Sequence, residues 1–152
     1  MTDLVFRTAT RDDLPAMIAM IADDQLGQAR DDASLPLNEA YTDAFAAIER
    51  DPNQMLVAVE QASVVIGCFQ ITFIPGISRR GAWRGQIESV RVARAKRGAG
   101  LGTAMFEWAI AECRRRGCNL VQLYPDKSRK DAHRFYERLG FKASHVGMKL
   151  AL

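Results

Sequence analysis

Two consecutive segments decide the fold of this chain: Ile87-Glu88-Ser89-Val90-Arg91-Val92 and Arg97-Gly98-Ala99-Gly100-Leu101-Gly102-Thr103. The first is rich in β-branched residues and predicts a strand, and a helical apolar pattern follows the second. Glycine lets the backbone adopt positive φ, and the N–H groups in the first turn of a helix have no partner within that helix. Because basic residues precede the glycines, the second segment predicts a loop that binds a phosphate group.

Two common phosphate-binding motifs do not fit this loop. A Walker loop requires Gly-Lys-Ser/Thr where this chain has Gly102-Thr103-Ala104, and the dinucleotide fingerprint requires its third glycine at Thr103. A glycine-rich turn that serves only the packing of a strand against a helix is the alternative. Three glycines within five residues, beside Arg94, Lys96 and Arg97, favour phosphate binding.

Length and composition restrict the class of protein. The chain has 152 residues, 48% of them hydrophobic, which predicts one compact domain spanning residues 1–152. A net charge of +3 is too balanced for a protein that coats nucleic acid, and no nucleic-acid partner is expected. The apolar stretch from Met55 to Pro75 is interrupted by polar residues, so no membrane association is expected. The N-terminus has no signal-peptide pattern, and a cytoplasmic location is expected.

The cysteines and histidines do not form a metal-binding pattern. Cys68, Cys113 and Cys118 contain no Cys-x-x-Cys pair, and only His133 and His145 could add nitrogen ligands. We therefore expect no bound metal, and we interpret the cysteines as buried, reduced thiols.

Outside the two deciding segments, periodicity predicts the other elements of the chain. The predicted strands are Leu4 to Arg7, Met55 to Glu60, Val64 to Pro75, Trp83 to Val92, Leu120 to Tyr124, and one or two in Phe141 to Leu150. The predicted helices are one capped by Thr10 with Asp13, one ending near Asp51-Pro52, one from Gly100 to Arg116, and one from Arg129 to Leu139. This order, β-αα-βββ-α-β-α-ββ, predicts an α/β (α+β) fold with a mixed, mostly antiparallel sheet of six or seven strands and helices on both faces.

In these motifs the sequence resembles the GNAT family of acetyl-coenzyme A-dependent N-acetyltransferases. Arg97, Gly100 and Gly102 match the pyrophosphate loop of that family, Arg/Gln-x-x-Gly-x-Gly/Ala. A second family motif reads Ala132-His133-Arg134-Phe135-Tyr136-Glu137-Arg138-Leu139-Gly140-Phe141. The motifs occur in the family's order and on the expected elements. The resemblance therefore covers the whole predicted domain and implies the acyl-CoA N-acyltransferase fold.

The resemblance implies a binding mode for acetyl-coenzyme A. The diphosphate is expected on the N–H groups of Arg97, Gly98, Ala99, Gly100, Leu101, Gly102 and Thr103. The pantetheine arm is expected beside Val90, Arg91 and Val92, where this strand and the Leu120 to Tyr124 strand separate in the family. Many relatives carry an asparagine that contacts the cofactor before the last helix. Here that segment reads Lys127-Ser128-Arg129-Lys130-Asp131, so the same contact is not expected.

Acetyl transfer requires an uncharged amine, yet an amine of pKa ~10.4 is protonated at neutral pH. Glu88, among apolar neighbours on the strand, is expected to act as a general base or to attract the cationic amine. The resemblance implies that Tyr136 is the general acid for the departing thiolate, although its helical spacing with Phe135 and Leu139 is also typical of a core aromatic. The backbone N–H of Val92 is expected to hold the carbonyl oxygen.

We therefore expect an N-acetyltransferase that moves acetyl from acetyl-coenzyme A to a primary amine, of a small molecule, in a ternary complex, as a monomer or homodimer. Acetylation of a protein amine, a non-catalytic acyl-coenzyme A sensor and a nucleic-acid module built on arginines are the alternatives. The carboxylates in the segment that forms the acceptor wall in relatives either attract a cationic amine or belong to a solvated loop. They are Asp23, Asp24, Asp31, Asp32 and Glu39.

Overall fold

A computed structural model describes residues 3–152, which form two compact units, one ending at Gln122 and the other spanning Leu123–Leu152. The first unit contains a five-stranded sheet in the order β1-β2-β3-β4-β5. Its strands are β1 (Val5–Thr8), β2 (Gln54–Gln61), β3 (Val64–Ile74), β4 (Trp83–Val92) and β5 (Cys118–Gln122). Neighbouring strands are antiparallel except for the parallel pair β4 and β5. The predicted mixed, mostly antiparallel sheet is confirmed.

Four helices accompany the sheet strands in the described chain. They are α1 (Leu14–Ala22), α2 (Glu39–Arg50), α3 (Leu101–Arg115) and α4 (Lys130–Arg138), of which α4 belongs to the second unit. Short 3-10 turns occupy Arg11–Asp13, Gly27–Ala29 and Arg94–Lys96. The turn Ser78–Gly81 before β4 is left-handed, because φ is 55° at Arg79 and 61° at Arg80.

Helices pack on both faces of the sheet, as predicted. Met17 and Met20 of α1 pack against Ala58 and Cys68. On the other side, Trp108 of α3 lies edge-on to Phe69, with ring centroids 5.9 Å apart. Consecutive residues of a strand point to opposite faces, so Cys68 and Phe69 assign α1 and α3 to different faces. We call these the α1 face and the α3 face.

An ion-paired capping box fixes the start of α1. The Thr10 N–H donates to Asp13 Oδ2 at 2.7 Å, and Arg7 Nη1 donates to the same oxygen at 2.7 Å. Hydrogen bonds from Arg7 lower the pKa of the Asp13 carboxyl to about 2. Arg7 also donates to Glu60 of β2 at 2.9 Å. The predicted cap therefore joins two strands to the first helix.

The predicted strand count of six or seven is wrong, since residues 3–152 contain five strands. The difference lies at Phe141 to Leu150, where no strand forms. Val146, Met148 and Leu150 alternate as in a strand, but they are 81%, 93% and 86% exposed. A strand is completed by hydrogen bonds to a neighbouring strand, and a local alternation does not specify that neighbour.

Gly85 provides a test of how β4 packs on α3. A Cβ at this position would lie 2.3 Å from Sγ of the buried Cys113. Gly85→Ala should therefore lower the free energy of unfolding by about 1–3 kcal/mol, the usual cost of overpacking a core. Chemical denaturation measures it. Gly85→Ala/Cys113→Ala, compared with Cys113→Ala alone, should show a smaller loss. Equal losses in both backgrounds would contradict the contact.

Candidate active site

The glycine-rich loop has the geometry of an anion site. Gly98 and Gly100 have φ of 81° and 79°, and Gly100 is the N-cap of α3. A Cβ at either position would meet no atom within 4 Å, so the backbone conformation and not space requires glycine. The Ala104 N–H donates to Gly100 O at 3.2 Å and starts the helical bonding. The N–H groups of residues 101–103 precede that bond and are available to an anion.

The basic residues before the loop contact side chains of other elements. Asp23, at the end of α1, accepts hydrogen bonds from Arg94 Nη2 at 2.5 Å and from Arg97 Nη2 at 3.0 Å. The Arg94 hydrogen bond is the largest cause that lowers the pKa of Asp23. Lys96 Nζ donates to Gln61 at 2.8 Å. The positive charge predicted at this loop is thus partly neutralised in the described structure.

β4 contains a bulge just before the loop. Arg91 is paired with Cys68 and Glu88 with Gln70, so the single residue Phe69 faces two residues of β4. Ser89, one of those two, has φ of 54°. A bulge interrupts the ladder and bends the strand. The sequence gives no signal for this position, because serine is not favoured at positive φ.

The other edge of β4 is open over the same residues. β5 pairs only with Trp83–Gln86, ending at the pair of Gln86 and Gln122. Beyond Gln86, residues 87–92 of β4 have no β5 partner in the described sheet. The pairing of β4 with β5 therefore ends at Gln86, and the predicted separation of the two strands beyond that point stays a prediction. An extended ligand could pair with the backbone of Val90–Val92 at this edge.

Glu88 lies on the α1 face, opposite Gln70. Its side chain is exposed, whereas the adjacent Ile87 is 3% exposed and points to the α3 face. The expectation that apolar neighbours surround Glu88 is wrong, because those neighbours in sequence are on the opposite face. The carboxylate is accessible to an amine approaching the α1 face.

A polar surface that the sequence did not predict lies beside Glu88. It consists of Gln54, Gln70, Thr72, Gln86 and Gln122, which we call the amide floor. The Gln70 and Thr72 side chains donate to Gln54 Oε1 at 2.8 and 3.0 Å, and Gln122 donates to Gln86 Oε1 at 3.0 Å. Strand alternation assigns each of these residues to one face of its strand. Only the register between the four strands, which the sequence does not give, shows that they lie side by side.

Four of the five acidic residues of the predicted acceptor wall, Asp23, Asp24, Asp31 and Asp32, make intramolecular contacts. Asp24 pairs with Arg91 Nη2 at 3.4 Å, and both side chains are only about 15% exposed. Asp31 accepts from the Tyr41 hydroxyl at 3.1 Å. Hydrogen bonds from Ser34, of which the side-chain bond is the larger cause, lower the pKa of Asp32. These carboxylates order the segment between α1 and α2.

Tyr136 lies on α4 in the second unit. Its ring centroid is 5.5 Å from that of Phe135 and 6.1 Å from that of Phe141, both in edge-on contacts. His133 Nε2 lies 3.1 Å from the Asp126 carbonyl oxygen. The role of Tyr136 stays a prediction.

Other features of the described residues fall outside the chemistry of β4. Burial raises the pKa of the Cys68 thiol and of the Cys113 thiol to about 12.

No three His, Cys, Asp or Glu side chains within residues 3–152 are arranged to hold a metal, and no helix there is long and apolar enough to cross a membrane. A cleft of about 380 Å³ near Leu14 and Leu37 contains neither Glu88 nor the loop.

Comparisons with known proteins agree on one family. The profile described as "Acetyltransferase (GNAT) family" matches residues 18–141. An aminoalkylphosphonate N-acetyltransferase of Salmonella typhimurium (strain LT2) is 33% identical over 114 residues, which are 75% of this chain and 73% of that protein. A glucosamine 6-phosphate N-acetyltransferase of Trypanosoma brucei brucei is 39% identical over 88 residues, 58% of either chain. A crystal structure of a transcriptional regulator from Bacillus halodurans C-125 is 44% identical, with a TM-score of 0.95 over 99% of this chain and 100% of that one.

Ser89 tests whether the bulge is a strained feature of β4. Ser89→Gly should leave the fold intact and raise the free energy of unfolding by about 0.5–1 kcal/mol, because glycine adopts positive φ without steric cost. Ser89→Val should lower it by more than 1 kcal/mol, since a β-branched residue is least tolerant of that conformation. Thermal and chemical denaturation measure both changes. A valine variant as stable as the glycine variant would contradict the positive φ.

Proposed function

Because the chain belongs to the GNAT family of acetyl-coenzyme A-dependent N-acetyltransferases, we propose that it acetylates the primary amine of a small molecule. The transfer is direct, within a ternary complex of protein, acetyl-coenzyme A and amine. The names of the two curated relatives support a small acceptor, since each specifies a small phosphonate or phosphate-bearing molecule. A protein amine is the alternative acceptor.

The observation that carries the proposal is the continuity of β4 with the loop. The open edge of residues 87–92 leads directly into Gly98 and Gly100 and then into the first turn of α3. We assign the diphosphate of coenzyme A to the loop N–H groups of residues 97–103. The pantetheine arm pairs with Val90, Arg91 and Val92. This arrangement places the thioester near the bulge and on the strand that carries Glu88.

The residues of this chain then divide the chemistry. Glu88 accepts a proton from the acceptor amine, directly or through water, or holds the cation until water takes the proton. The amine nitrogen attacks the thioester carbon, and the Val92 N–H donates a hydrogen bond to the developing oxyanion. The carbon–sulfur bond breaks as the amide forms. In this proposal Tyr136 donates its hydroxyl proton to the leaving sulfur, and the second proton that the nitrogen loses as the amide forms returns to the Tyr136 oxygen through water.

The contacts of the three consecutive arginines Arg114, Arg115 and Arg116 do not support a nucleic-acid module. Arg115 Nη2 pairs with Glu112 at 2.6 Å, while Arg116 donates to the Pro52 carbonyl oxygen at 2.6 Å and lies 4.1 Å from the Phe73 ring centroid. Two of the three guanidinium groups are thus engaged within the protein. Phosphate contacts need such groups to be available.

Substitution of the two assigned groups tests the catalytic proposal. Glu88→Gln and Tyr136→Phe should each lower kcat by about 10²- to 10⁴-fold, the usual contribution of general acid–base catalysis. Coenzyme A affinity, measured by calorimetry, should remain within about twofold, because neither group is assigned to the cofactor. Thiol release across an amine panel measures the rates.

Glu107→Gln is the matched control, since Glu107 is exposed on α3. It should retain the rate of the unaltered protein. A non-catalytic sensor would bind coenzyme A and release no thiol with any amine. That result in the unaltered protein would overturn the proposal.

Asp23 should compete with the coenzyme A diphosphate for Arg94 and Arg97. Asp23→Asn is expected to tighten coenzyme A binding by about two- to fivefold at low salt, in the range of exposed ion pairs. The gain should shrink at high salt, because exposed charges are screened. Calorimetry at two salt concentrations measures it, with the exposed α2 residue changed in Asp43→Asn as the control. Weaker binding by Asp23→Asn would instead assign Asp23 to holding the arginines in a binding geometry.

A further inference from the structure

The amide floor is a concentrated and unusual surface. Four of the seven glutamines of the chain lie on it, one on each of β2, β3, β4 and β5. All five of its residues are half-buried. Its charged neighbours on the same face are Glu88, the register partner of Gln70 and two residues from Gln86, and Arg84, two residues from Gln86 in the other direction. A face that serves only solvation would carry charged side chains more often than uncharged amides.

The floor begins where the helices stop covering the sheet. Leu56 and Ala58 on the same face of β2 pack against α1 and α2 residues. Gln54, one step further along that face of β2, hydrogen-bonds to Gln70 and Thr72 instead. The α1 face therefore has a covered apolar part and a polar part beside it. The apolar clusters described at α1 and α2 include Leu56, Ala58 and Cys68 and none of the five floor residues.

The hydrogen bonds within the floor occupy only part of the hydrogen-bonding capacity of its amide side chains. An amide side chain has two N–H donors and an acceptor oxygen. Gln54 and Gln86 accept through Oε1, so their NH₂ groups remain for another partner, and Gln70 and Gln122 donate and keep their oxygens. The surface thus offers donors and acceptors without charge. Hydroxyl groups, which both donate and accept, are the matching chemistry.

The floor is within reach of an amine held at Glu88. Side chains directly opposite on antiparallel strands have Cβ atoms ~5 Å apart, which applies to Glu88 and Gln70. Two residues along a strand span ~7 Å, which applies to Glu88 and Gln86. Four strands span ~14 Å across the sheet. A small molecule with its nitrogen at the carboxylate would lie over the amides.

We propose that the amide floor is the acceptor subsite and that it selects a primary amine whose carbon skeleton carries several hydroxyl groups. This inference rests on the proposed acetyl transfer and names the substrate class of that site. Gln70 and Gln86, the floor residues nearest Glu88, are the specificity-determining residues. An alkylamine, or the apolar arm of a lysine side chain, would cover the half-buried amide groups without giving them hydrogen-bond partners, which is unfavourable.

Matched amines and floor variants test the inference. Thiol release is measured with glucosamine against cyclohexylamine, and with 3-amino-1,2-propanediol against propylamine. Each hydroxylated amine should have a kcat/KM at least tenfold above its alkyl counterpart. Gln70→Leu and Gln86→Leu should raise KM for the hydroxylated amine by about 10- to 100-fold, as expected when buried polar groups lose partners, with little change in kcat.

The controls separate specificity from damage to the fold. KM for acetyl-coenzyme A should be unchanged in both floor variants, and Gln28→Leu, at an exposed glutamine, should behave as the unaltered protein. If the leucine variants fail to fold, Gln70→Ala and Gln86→Ala make the same comparison. Alkyl and hydroxylated amines consumed equally, or KM raised equally for both, would overturn the inference while leaving acetyl transfer intact.

Binding without turnover distinguishes the two proposals. In ¹⁵N-labelled protein saturated with coenzyme A, the glutamine side-chain NH₂ signals are followed by NMR and identified through the floor variants. Glucosamine should shift the Gln70 and Gln86 signals, and cyclohexylamine should not. Such shifts without thiol release would contradict the catalytic proposal and support the assignment of the amide floor as the acceptor subsite. An absence of shifts at saturating glucosamine would overturn the floor.

Discussion

The end of the pairing between β4 and β5 at Gln86 is the constraint on which the candidate site depends. A central strand normally has both edges paired, and unpaired backbone groups must find other partners. Here one edge of residues 87–92 is open, and the bulge at Ser89 interrupts the ladder to β3 on the other edge. The open edge offers backbone hydrogen bonds to an extended ligand, and the same strand continues into the glycine loop. One strand thus carries a carboxylate and an edge without a β5 partner, and it leads to the glycine loop.

Two neighbouring carboxylates fix the charges around this strand. Asp23 holds Arg94 and Arg97, and Asp24 pairs with Arg91 in a mostly shielded environment. Removing one partner of a shielded pair leaves an uncompensated charge, which explains why these acids and arginines occur together. Asp23 and Asp24, two of the five acids expected on an acceptor wall, therefore neutralise arginines at the end of β4 and in the segment that follows it. Glu88 remains as the accessible carboxylate on the amide floor side of β4.

The α1 face of the sheet contains both residues that pack against α1 and residues of the candidate acceptor subsite. Apolar residues such as Ala58 and Cys68 are buried under α1, and the polar positions begin one step further along β2 and β3. The glutamines at these polar positions are half-buried. The core and the candidate acceptor subsite are thus adjacent parts of the same strands, and alternation assigns each residue to its face.

The sequence by itself determined the elements that depend on local chemistry. The capping box at Thr10, the glycines at positive φ, the crossover helix and the order along the chain of the strands up to residue 122 could all be inferred from spacing and residue type, because short-range sterics and periodicity fix them. Only the tertiary structure decided the amide floor, the partners of Asp23 and Asp24, the bulge at Ser89 and the unpaired state of residues 142–152. These features depend on which strands and helices become neighbours, and contacts between residues far apart in the chain are not encoded in any local pattern.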